Sequence, residues 1–146
     1  MGIIPLEKYP DVASKYGVAF GWINLLQEEL KLKILLSQGI NPIPNIIMDV
    51  FDDMTLGQMI AVAEPRIKDE KLIGYFRDLN NKRRILAHGT VGEKAYSSKG
   101  NPIQYTGELS IRLKSGEFPL LELLDDIISL AKKIDERMKP NPLLKV

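Results

Sequence analysis

Apolar residues recur at intervals of three and four between Asp11 and Ser37: Val18, Trp22, Leu25, Leu26, Leu30, Ile34 and Leu35. That spacing marks one face of an α-helix. Gly39 follows as its C-terminal cap. The INPIPN stretch (40–45) cannot continue the helix, because two prolines remove donors and restrict the residues before them. Thr55-Leu56-Gly57-Gln58 reads as a capping box, in which hydroxyl and amide satisfy each other's backbone N–H groups. It opens a short helix that ends near Ala63. A third helix is predicted from Lys68 to His88, with Leu72, Phe76, Leu79 and Leu86 as its apolar face and Gly89 as its stop. The period then changes. Glu108 to Lys114 alternates strictly, with Leu109, Ile111 and Leu113 on one side, which is the pattern of a half-buried strand. Val91 to Ser97 is its expected partner, with KGNP at the turn. A last helix begins after Phe118-Pro119 and carries Leu120, Leu123, Leu124, Ile127, Leu130, Ala131 and Ile134. Pro140 and Pro142 close it, leaving NPLLKV as an expected mobile tail.

The outline is mainly α: a helical bundle with a small β-hairpin before the final helix. At 146 residues the chain fits a single domain, 1–146. Apolar residues make up 45% and charged residues 27%, a globular mix that excludes disorder as the main state. No repeat or low-complexity tract is visible. The absence of cysteine excludes disulfides, thiolate zinc sites and a cysteine nucleophile. A single histidine excludes an all-histidine metal site within one protomer. No run approaches the apolar length of a membrane span. MGIIPLE lacks a basic leader segment, and Leu6 stands where a myristoylation signal needs Ser or Thr. A soluble cytoplasmic protein with no membrane partner is expected.

Net charge is +1 but uneven. Arg77 to Lys114 holds eight Lys/Arg against three Asp/Glu, whereas Asn45 to Glu64 holds four acids and no base. Ser115 to Met138 holds three bases against six acids. One basic segment in a neutral chain is compatible with polyanion binding, and equally with a solvated face.

The candidate chemistry lies in that basic segment, in LNNKRRILAHG (79–89). On a helix Asn80, Arg84 and His88 are four apart and form one polar row. Arg83, five residues before His88, sits about 140° away round the axis, within reach of a long side chain. An imidazole suits proton transfer near neutral pH, and a guanidinium offers two parallel donors to phosphate oxygens. A histidine in a last helical turn also serves as a cap, and KRR also serves as an exposed basic face. The spacing alone leaves these alternatives open.

Arg83-Arg84-Ile85-Leu86-Ala87-His88-Gly89 resembles the R-x-x-x-x-H signature of the HEPN superfamily, whose members often read R-N-x-x-A-H-G at the end of a core helix. The long helix with YGVAFGWINLLQEELKLKILL, the TLGQMI opening and the terminal helix agree in outline, over about Lys15 to Met138. The resemblance implies an up-down helical bundle that forms a homodimer, with the two motifs meeting across the two-fold axis. Active members are endoribonucleases that need neither metal nor cofactor. Carried onto this chain, Arg83 holds the scissile phosphate and His88 acts as general acid or base. Arg84, Asn80 and Asn81 contact the RNA, and the product carries a 2′,3′-cyclic phosphate. Toxin–antitoxin or antiviral defence is the implied setting, with an antitoxin or regulatory protein as possible partner. Other HEPN domains are non-catalytic modules that bind RNA, nucleotides or proteins, which is the alternative expectation. Two positions depart from the family. Arg84 replaces a residue that is often small and polar. Thr90 stands where toxins paired with a nucleotidyltransferase carry a modified tyrosine, which disfavours that pairing.

Weaker candidates remain. Asp49, Asp52 and Asp53 are possible carboxylate ligands, although acids just before a helix also favour its dipole. Tyr96 and Tyr105 with Lys94, Lys99 and Arg112 would place aromatics and cations on the hairpin, as in single-strand binders. Phe20, Trp22 and the Leu/Ile stripe of the first helix read as core or dimer interface.

Overall fold

The structure, a computed structural model, describes residues 2–3, 6–39, 53–96, 99–100 and 102–139. Their elements are β1 (Gly2–Ile3), a 3-10 turn (Leu6–Lys8), α1 (Pro10–Ser37), α2 (Leu56–Ala63), α3 (Glu70–His88), β2 (Thr90–Tyr96), β3 (Gln104–Leu113), β4 (Gly116–Pro119) and α4 (Leu120–Met138). The chain is mainly helical with a small antiparallel sheet. It divides into two compact units, Met1–Phe20 with Asn81–Ile128 and Gly21–Asn80 with Ser129–Val146. Among the described residues no helix is long and apolar enough to cross a membrane. The INPIPN break and the NPLLKV tail lie outside the described residues.

In the first unit the expected hairpin is the middle of a four-stranded antiparallel sheet ordered β1-β2-β3-β4. Thr90 pairs with Arg112, Val91 with Ile111 and Gly92 with Ser110, and a register shift follows between Glu93 and Ala95. Gly116–Pro119, expected only as the approach to the last helix, forms β4, with Phe118 opposite Ile111 and Glu117 opposite Arg112. The same β3 residues, Ser110, Ile111 and Arg112, pair with β2 on one side and with β4 on the other. Leu109, Ile111, Leu86, Leu120, Leu123, Leu124 and Ile127 are buried in this unit. Lys15 pairs with Asp125 at 2.7 Å, and Tyr16 stacks on Phe20 with centroids 5.8 Å apart.

The second unit is helical. Its buried residues come from α1 (Ile23, Leu26, Leu30, Ile34, Leu35), α2 (Leu56, Met59, Ile60, Ala63), α3 (Leu72, Ile73, Phe76, Leu79) and α4 (Leu130, Ala131, Ile134). Gly39 ends α1 with φ +75°, and its N–H donates to the Leu36 carbonyl at 3.0 Å. The capping box of α2 is present: Gln58 N–H donates to Thr55 Oγ1 at 3.1 Å, and Thr55 N–H donates to Gln58 Oε1 at 2.9 Å. Helix α3 starts at Glu70, not Lys68, because Asp69 is its cap.

The apolar face of α1 differs from the one its spacing suggested. Val18 and Leu25 are 47% and 48% exposed, and Trp22 is only half-buried. The buried residues run through Val12, Ala19, Ile23, Leu26, Leu30 and Ile34. Val18 and Leu25 each precede a buried residue, about 100° round the helix. The helix carries apolar residues on two sides, so periods of three and four fit either side.

Candidate functional site

The residues singled out by the basic segment sit on α3. The helix is positioned by its apolar side, with Leu72, Ile73, Phe76, Leu79 and Leu86 buried. Its start is held by Asp69, whose Oδ1 accepts the Leu72 N–H at 3.2 Å. Arg137 grips the same carboxylate with two nitrogens: Nε donates to Oδ2 at 2.9 Å and Nη2 to Oδ1 at 2.9 Å. This hydrogen bonding holds the Asp69 carboxyl below the ordinary aspartate value and raises Arg137. Glu70 in the first turn and His88 in the last both complement the helix dipole.

Along the last turns Arg83 is half-buried, while Arg84 and His88 are exposed. Helix geometry separates Arg84 from His88 by about 6 Å along one face, and places Arg83 about 7.5 Å from His88 along the axis. Asn81 is exposed and begins the first unit's share of α3. Asn80 ends the second unit's share, and its amide is packed against α2: a Cβ on Gly57 would meet Asn80 Nδ2 at 3.2 Å. The helix period therefore aligns Asn80 with Arg84 and His88, but the amide has a packing role of its own.

Gly89 fixes the end of the motif. Its N–H donates to the Ile85 carbonyl at 2.9 Å, completing the helical ladder. A Cβ there would meet Ile111 Cδ1 and the Ile85 carbonyl oxygen, each at 2.8 Å. The glycine ends the helix by admitting Ile111 of β3 against the backbone, not by adopting a left-handed conformation. Strand β2 begins at the next residue, so His88 is delivered to one end of the sheet, where Thr90 faces Arg112 across the ladder.

Lys94, Lys99 and Arg112 are exposed. The side chains of Tyr96 and Tyr105 lie outside what the structure describes. Asp49 and Asp52 are outside the described residues as well, and Asp53 lies in an exposed turn. Among the described residues no group of three His, Asp or Glu could hold a metal ion.

An open cavity of about 690 Å³ lies in the second unit, and none of the five motif residues lines it. Leu32, Leu36, Ile67 and Met138 form its apolar wall, with Glu29 and Asp135 among the polar residues. Burial, followed by the neighbouring Asp135 carboxylate, raises the Glu29 carboxyl above the ordinary glutamate range. Glu29 Oε2 is buried without a hydrogen-bond partner among the described residues. Lys139 Nζ lies 3.7 Å from Asp135 Oδ2.

Two guanidiniums and an imidazole on the last turns of a well-anchored helix can bind a phosphodiester and move a proton beside it. No family model, no curated protein and no solved structure matches the chain.

Proposed function

We propose that the chain is a metal-independent endoribonuclease of the HEPN type, folded as a HEPN-like helical bundle and acting as a homodimer. The observation that carries this reading is the placement of Arg83 and His88 at the sheet end of α3, with Gly89 seated on Ile111. Such seating fixes the backbone that carries His88, and a fixed backbone is a first requirement of positioned proton transfer. The RNA 2′-hydroxyl loses its proton to an imidazole and attacks the adjacent phosphorus. Arg83 and Arg84 stabilise the charge that develops on the phosphoryl oxygens. The 5′-oxygen leaves with a proton from a second imidazole, and the other fragment keeps a 2′,3′-cyclic phosphate. One histidine per chain cannot hold both roles at once, so a second copy supplies the other. An activity of this kind in the cytoplasm would need restraint, by an antitoxin or another regulatory protein, in a toxin or defence setting.

The test is incubation of the protein with mixed single-stranded RNA in EDTA, beside His88→Ala and Arg83→Ala, with analysis of product ends. His88→Ala should lower the rate by about 10²- to 10⁴-fold, and Arg83→Ala by about 10²- to 10³-fold. Cleavage that survives His88→Ala, or a folded protein that cuts none of the RNAs, would overturn the reading. The second reading, a non-catalytic module that holds RNA, a nucleotide or a protein in the same place, is favoured by Arg84, a second cation in a usually small polar position. In that case Arg83→Ala weakens binding and there is no turnover to lose.

A further inference from the structure

The sheet register assembles a set of cations that are far apart in sequence. Thr90, the first residue of β2 and two residues after His88, lies opposite Arg112. The β3–β4 ladder closes at Leu113 and Gly116, which puts the turn that begins with Lys114 at this same end. The close approach of Gly89 to Ile111 ties the end of α3 to β3 directly. Adjacent strands lie about 4.8 Å apart and residues along a strand about 3.3 Å. The end of α3, Arg112 and the turn that begins with Lys114 therefore share one end of the first unit's sheet.

Arg112 and Lys114 are exposed, and among the described residues neither is in an ion pair. Several cations elsewhere are paired, among them Lys15 with Asp125, Arg77 with Glu64, and Arg137 with Asp69. The acid nearest in register is Glu117, opposite Arg112, and its carboxylate accepts a hydrogen bond from the Ser110 hydroxyl. That acid faces Arg112 across the ladder but is not in an ion pair with it. Leu109, Ser110 and Ile111 are buried, and exposure on β3 resumes at Arg112, near the end of the strand.

We infer that Arg112 and Lys114 form a phosphate-binding track that continues from His88 across the end of the sheet and holds the single-stranded RNA beside its scissile bond. The inference rests on the ribonucleic-acid reading of the α3 motif and adds two substrate-binding residues to it. Neither takes part in proton transfer. They act by neutralising flanking phosphates, so their contribution is sequence-independent and salt-sensitive.

Binding isolates the track from turnover. A fluorescent single-stranded 20-nucleotide RNA is titrated in EDTA against His88→Ala protein, alone and combined with Arg112→Ala, Lys114→Ala or, as a control, Lys132→Ala. Each track substitution should weaken binding about threefold to tenfold and lower the slope of log K against log salt by about 0.7, the value of one phosphate contact on a single strand. The control should change neither. Unaltered affinity and slope in both track variants, with the parent still binding RNA, would overturn the track and leave the motif reading standing. Failure of both the parent and the native protein to bind any RNA would overturn the two together. Melting curves confirm that the variants are folded, as expected for exposed side chains.

Discussion

Gly89 carries two demands that no other residue meets together. It must continue the helical ladder to Ile85, and it must leave room for Ile111 against its backbone. Adding one methyl would push into a branched core side chain and a carbonyl oxygen that cannot both retreat. Gly89→Ala should therefore cost about 1–3 kcal/mol, as overpacking does, measured by denaturant unfolding. Ile111→Ala is costly by itself, but in that background Gly89→Ala should cost less than in the native chain, because the space the methyl needs is vacated. A stability unchanged by Gly89→Ala would mean that the approach of β3 is looser than described. The glycine is visible in the sequence as a helix stop. Its reason is visible only in the fold, because Ile111 lies 22 residues later in the chain.

At the scale of elements, helices with one apolar side are legible from spacing, and helices with two are not. The last helix shows this: each of Leu120, Leu123, Leu124, Ile127, Leu130, Ala131 and Ile134 is buried, as the three-and-four rhythm requires. In α1 the same rhythm includes Val18 and Leu25, which are exposed, because Ala19 and Leu26 beside them take the interior. Local hydrogen bonding is legible for a different reason. A capping box involves only four consecutive residues, so Thr55 and Gln58 announce the start of α2 without reference to the rest of the chain. Thr55→Ala should cost about 1 kcal/mol, read as a lower denaturation midpoint at unchanged denaturant dependence. Strand β4 had no such announcement. Four residues can join a sheet only because β3 already presents an unpaired edge.

Across the whole molecule, two carboxyls of the second unit shape how stability responds to pH, in opposite directions. Asp69 is held down by its hydrogen bonds from Arg137. Its contribution is therefore present above the unfolded aspartate value of about 3.9 and is lost as pH falls through the folded value. Solvent screening moderates the size of that contribution. Glu29 is raised, first by burial and then by Asp135. The native state binds its proton more tightly than the unfolded chain does, so stability declines as pH climbs from about 4.3 through the raised value. Melting temperatures followed across pH should show Asp69→Asn losing part of the acid-side dependence. Glu29→Gln should flatten the decline toward neutrality and melt higher than the native protein at pH 7. A Glu29→Gln profile parallel to the native one would remove Glu29 from this account.

The chain by itself determines what depends on neighbours within a few turns: the helices of the basic segment and of the C-terminal stripe, their caps, the alternation of β3, and the spacing of Arg83, Arg84 and His88. These follow from backbone periods and adjacent hydrogen bonds, which are local in sequence. Only the tertiary structure decides what depends on residues meeting from afar. It places Asn80 against Gly57, seats Gly89 on Ile111, turns Val18 and Leu25 outward, and brings Arg112 to the end of the sheet that receives His88. Register and packing select one arrangement among many that the same apolar pattern allows, and that selection is made by the excluded volume and hydrogen-bond pairing of residues distant in the chain.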